Sequence, residues 1–125
     1  MNFDRKIAPS FNYTSPQDFK PRPFEQDINF DKLRSYRLER VKKELIKNNI
    51  AACLLFDPIN IRYATDSRNM SIFTMHNLHR YCFIPVDGPV ILYEFFKCNH
   101  INEHLDLIDE IRPTIVWDYF ASGNQ

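Results

Sequence analysis

The chain has 125 residues, 44% of them hydrophobic and 26% charged, and its sixteen basic side chains balance its sixteen acidic ones. One domain of ordinary globular composition is expected, which excludes a chain disordered throughout, and neutrality removes any global attraction to nucleic acid or an anionic membrane. The longest apolar run, residues 50–56, is far short of the roughly 20 needed to cross a bilayer, so neither a membrane nor a nucleic acid is an expected partner.

Residues 1–30 carry Pro9, Pro16, Pro21 and Pro23 among several aromatics and show neither helical nor strand periodicity. Prolines impose extended backbone and remove donors, so this segment reads as an arm, and its aromatics are apolar surface worth burying on its own domain or on a partner. It has no hydrophobic middle region of a secretory signal, which makes the cytoplasm the expected location.

Asp31 is the expected cap of a helix running to about Asn48, with Leu38, Val41 and Leu45 on one buried face and Tyr36 near its edge. Between Asp31 and Lys47 seven basic residues stand against three acidic ones. A nucleic-acid stripe is outweighed here by a solvated outer face. Asn48 and Asn49 suit a left-handed helix end, and residues 50–56 form an apolar run of the length of a central strand buried on both faces. Asp57-Pro58 breaks that strand, and residues 60–65 read as a short helix.

Residues 71–75 are a further candidate strand. Residues 80–86 and 89–95 read as two strands joined by a tight Asp87-Gly88 turn. Residues 100–108 read as a short helix, and residues 114–117 as a last strand that leaves one side of the sheet open. The expected fold class is α/β, a layered domain with a mixed β-sheet flanked by helices over residues 31–125, and a truncation at its C-terminal end is expected. Cys53, Cys82 and Cys98 are odd in number and widely spaced, which argues against a disulfide framework or zinc ribbon. Cys53 and Cys82 fall in strands as small apolar side chains.

Three stretches carry a resemblance: Arg37-Leu-Glu-Arg-Val-Lys-Lys-Glu-Leu45, Ile50-Ala-Ala-Cys-Leu-Leu-Phe56 and Asp57-Pro-Ile-Asn-Ile-Arg-Tyr63. In that order they resemble the N-terminal domain that precedes the pita-bread catalytic domain of creatinase, prolidase and aminopeptidase P, over about 90 of the 125 residues. Residues 66–95 look most like the dimethylsulfoniopropionate lyase branch. One departure is Thr65-Asp66, where many relatives have Thr-Gly, so a different loop shape is expected there.

The resemblance implies a parent enzyme whose divalent metal ions sit in a separate catalytic domain, on two aspartates, a histidine and two glutamates that are not in this chain. It also implies two partners, that C-terminal catalytic domain and a second subunit in a homodimer whose active site the N-terminal domain overhangs. No catalytic residue, metal site or cofactor is expected within the chain itself.

Two clusters remain as candidate sites. His100-Ile-Asn-Glu-His104 matches H-x-x-E-H, in which histidines one helical turn apart bind zinc and Glu103 would handle the proton. That motif needs a further ligand, for which only Cys98, Asp109, Glu110 and Asp118 are at hand, and a solvated helix start outweighs it. No G-x-S-x-G elbow occurs, and two glycines cannot make a phosphate-cradling loop. The polar stretch 68–80 holds Arg68, His76, His79 and Arg80. In the creatinase branch the matching loop supplies an arginine to a substrate carboxylate in the neighbouring subunit, and Arg80 is the nearest match by position; a surface arginine at a strand start is the plainer alternative.

The expected function is a non-catalytic N-terminal domain that provides dimer contacts and part of a substrate-access wall. The alternatives are a free-standing protein-interaction domain and, third, a small zinc hydrolase built on His100, Glu103 and His104.

Overall fold

The computed structural model describes residues 27–115. Residues 1–26 of the expected arm, the last part of the expected final strand and Asp118 lie outside the described residues, and the arm's expected end gives way to the helix cap at Asn29 and the first helical residue, Phe30. Helix α1 (Phe30–Lys47) is capped by Asn29, not by Asp31: the Asn29 side chain accepts from the Lys32 amide at 2.8 Å, and Asp31 sits in the first turn, where its charge complements the helix dipole. Leu38 and Leu45 are buried, Val41 packs against the core from its edge, and Tyr36 is exposed. The helix ends as its two asparagines suggest: Asn49 takes φ 56°, and the Ile50 amide donates back to the Leu45 carbonyl at 2.9 Å.

Strand β1 (Ala52–Leu55) is followed by helix α2 (Pro58–Thr65), whose Asp57 cap accepts from the amides of Ile59 and Asn60 at 2.7 and 2.9 Å with Pro58 at the first helical position. Helix α3 (Ser71–His76) occupies the stretch expected to be a strand. The alternation of Ile72 and Thr74 resembles a half-buried strand, but only Thr74 is buried, and the backbone closes Thr74 N to Met70 O and Asn77 N to Phe73 O instead. Strands β2 (Tyr81–Pro85) and β3 (Ile91–Glu94) form the expected antiparallel hairpin. Their connection spans residues 86–90 and not two residues, because Pro89 has no amide to pair and Val90 turns away to accept from Asp109 and Glu110.

A 3-10 turn at Asn99–Ile101 stands where a longer helix is expected, and strand β4 (Glu110–Pro113) ends before Thr114, earlier than the pattern suggests. The sheet is mixed, in the order β1-β2-β3-β4 with β3 and β4 parallel. Among the described residues strand β1 is therefore an edge strand, not a central one. Cys53 and Leu55 face the core, while Leu54 points to the other side of the sheet opposite Phe83 and is 40% exposed. The core of Leu38, Ile61, Ala64, Cys82, Ile84, Val90 and Leu92 lies between the sheet and helices α1 and α2. No helix among the described residues is long and apolar enough to cross a membrane.

The three thiols are free, and burial pushes that of Cys82 up to about 12. An unfolded thiol ionises near 8.5, so the unfolded chain loses this proton first. The stability tied to the neutral Cys82 is whole below that range and is lost as pH rises through it toward 12. In the native protein an alkylating reagent at mildly alkaline pH is expected to modify Cys98 and leave Cys82 intact until denaturant is added. Mass spectrometry of the labelled protein checks this, and equal native labelling of Cys82 and Cys98 would contradict the buried placement.

Candidate functional site

The hairpin register pairs Tyr81 with Tyr93 and Cys82 with Leu92. Extended by one residue, it sets Arg80 opposite Glu94 on the helix-covered face, where Arg80 is 1% exposed and Glu94 fully buried. Arg80 Nε donates to Glu94 Oε2 at 2.8 Å. The same oxygen accepts from Asn102 Nδ2 at 2.7 Å, while Oε1 accepts from Asn69 Nδ2 and the Phe95 amide, each at 2.9 Å. Arg80 Nη2 donates to Ser67 Oγ, whose hydroxyl donates to Asn102 Oδ1. Arg80 Nη1 is the one buried side-chain polar atom among the described residues with no partner.

This network joins four separate segments: the 66–70 loop, the start of β2, the end of β3 and the turn around Asn102. A carboxylate with four donors and a guanidinium in contact with it satisfy most of the polar groups that burial would otherwise leave costly. The arrangement holds backbone; it offers no solvent-facing acid or base.

The four residues singled out in stretch 68–80 go to different surroundings. Arg80 is neither a surface arginine nor a fork open to another subunit, since the carboxylate it meets is that of its own Glu94. His79 is half-buried against the rings of Phe73 and Phe95, at centroid distances of 5.5 and 6.4 Å. His76 is exposed at the end of α3, beside an apolar surface of Met70, Ile72 and Phe73 on which Ile72 is 82% exposed. Arg68 faces a cavity it shares with Arg34, Arg37 and Arg62. Sequence spacing gives no hint of that last grouping, because Arg34 and Arg68 lie on elements brought together only by the packing of α1 on α2.

The Thr65-Asp66 step keeps the backbone that glycine would favour: Asp66 ends α2 in the left-handed region at φ 62°. Its carboxylate accepts from Arg34 Nε at 3.0 Å, a contact a glycine could not make. The loop alternates from there. Asp66 and Arg68 serve the arginine cavity, and Ser67 and Asn69 serve the buried network.

His100, Glu103 and His104 do not form a zinc motif in this arrangement, because their segment is a 3-10 helix followed by turns and lacks the α-helical turn that would stack the two histidines. Among the described residues no group of three or more His, Cys, Asp or Glu side chains could hold a metal ion. The divalent metals implied by the resemblance therefore find no fitting donor set among the described residues.

No protein-family model matches the chain. In sequence it is similar to the dimethylsulfoniopropionate lyase DddP of Roseobacter denitrificans, 32% identical over 93 residues that make up 74% of this chain and 21% of that protein. It is also similar to the DddP of Roseovarius nubinhibens, 29% identical over 97 residues, 78% of this chain and 22% of the relative. The matched stretch is about a fifth of the length of these curated relatives and links the chain to lyases of the DddP type.

Proposed function

We propose that the chain is the N-terminal, non-catalytic α/β domain of a longer DddP-like lyase of the creatinase, prolidase and aminopeptidase P kind. The observation that carries this is the match over three quarters of the chain to a fifth of two lyases. In this reading divalent metals and the chemistry belong to a C-terminal catalytic domain, and the present domain supplies dimer contacts and part of the wall beside the active site of a second subunit. Arg68 and His76, the exposed ones among the four residues singled out in stretch 68–80, form that wall. His79 and Arg80 act on it indirectly, by fixing the loop and α3 from the inner side.

The test is turnover of dimethylsulfoniopropionate, read as release of dimethyl sulfide in the presence of divalent metal. The 125-residue chain alone is expected to release none. The product of the same gene read through an in-frame continuation carrying two aspartates, a histidine and two glutamates is expected to release it. Turnover by the short chain alone would overturn the non-catalytic assignment, and a gene without such a continuation would favour a free-standing interaction domain that uses the apolar surface of α3.

A further inference from the structure

The cavity at Arg68 has a chemistry that the lyase reading does not use. It lies between α1 and the C-terminal end of α2, encloses about 330 Å3, and is lined by four guanidinium groups against one carboxylate, that of Asp66. Asp66 is engaged by Arg34, which also donates to Asp31 at 3.2 Å. Arg37 lies 5.6 Å above the ring of Tyr63, and among the described residues no acid stands within ion-pair distance of Arg37, Arg62 or Arg68. Three cations with no acidic partner among the described residues thus share one concave site.

A guanidinium does not lose its proton in a protein, so this charge persists at every working pH, and a cleft lined by one sign of charge concentrates its field on whatever enters. The planar forks suit the paired oxygens of phosphate and carboxylate. Phe30 and Leu33 add an apolar wall, and the volume exceeds that of a bare oxyanion, which points to an anion with an organic body. Arg68 is held in place from behind, since its neighbours Ser67 and Asn69 are tied into the Arg80 and Glu94 network. A sulfonium substrate is ill suited to this site because its cationic end would meet three like charges.

We infer that this cavity is a binding site for a small organic anion with two or more negative charges, either a phosphate ester or a polycarboxylate. The site shares Arg68 with the wall of the lyase reading but does not need that reading, and either can fail alone. Calorimetric titration of the intact protein with adenosine monophosphate, inorganic phosphate and citrate tests it. Saturable one-to-one binding of at least one is expected, weakening with added salt. Preference for the two phosphates assigns a phosphate ester, and preference for citrate a polycarboxylate. Arg37→Gln and Arg68→Gln should each weaken binding about tenfold, with Arg40→Gln, on the same helix but outside the cavity, unchanged. Arg62→Gln serves the same purpose should either variant fail to fold. The inference is overturned if none of the three probes saturates, if the arginine variants bind as the parent does, or if only an acidic peptide binds, since the cavity would then be a docking surface for protein.

Discussion

Glu94→Leu is expected to destabilise the protein by about 3–5 kcal/mol, the range for removing one partner of a buried ion pair. The change leaves Arg80 charged, buried and in contact only with the Ser67 hydroxyl, with Nε joining Nη1 as an unpartnered donor. Arg80→Met should cost less, because the Glu94 carboxylate keeps the donors of Asn69, Asn102 and the Phe95 amide. The double variant should lie closer to the parent than Glu94→Leu does, since it removes both charges and leaves an apolar contact. Urea unfolding of the four proteins gives the cycle. By contrast, Lys43→Met breaks an exposed 3.9 Å pair with Glu39 and should not move the midpoint measurably. A Glu94→Leu midpoint equal to that of the parent would mean that the carboxylate is not buried against Arg80.

Leu92→Ala should cost about 2–5 kcal/mol, and Leu38→Ala a similar amount, because both truncations leave a cavity in the layer between sheet and helices. That is a large share of the roughly 5–15 kcal/mol that stabilises a domain. Leu54→Ala should cost less than about 1 kcal/mol, since this side chain stands on the edge strand and faces away from that layer. Thermal or urea unfolding separates the two outcomes. If Leu54→Ala proved as costly as Leu92→Ala, β1 would have to be buried on both faces after all.

The contrast between those leucines marks where local sequence stops being informative. An unbroken apolar run such as residues 50–56 fits a strand covered on both faces, and only the count of neighbours shows that β1 has a single partner among the described residues. Residues 71–75 show the same ambiguity: with one buried side chain in the stretch, burial does not choose between strand and helix, and local i to i+4 bonds do. At residues 100–108 the turn-forming Asn102 is drawn into the Glu94 network, which holds the segment in turns and denies His100 and His104 a shared helical face.

The sequence by itself determined the elements whose signals are local: the periodic face and asparagine end of α1, the Asp57-Pro58 break after β1 and the short helix that follows, the hairpin strands, and the α/β class with its mixed sheet. Backbone dihedral preferences, caps and side-chain period act within a few residues and need no distant partner to be felt. Only the tertiary structure decided which strand is an edge, that Arg80 meets Glu94 and not the solvent, and that Arg34, Arg37, Arg62 and Arg68 surround one cavity. The reason is that register and helix packing set these contacts between residues 14 to 34 positions apart, Arg80 to Glu94 and Arg34 to Arg68, and no local preference encodes what a charged side chain will face at that range.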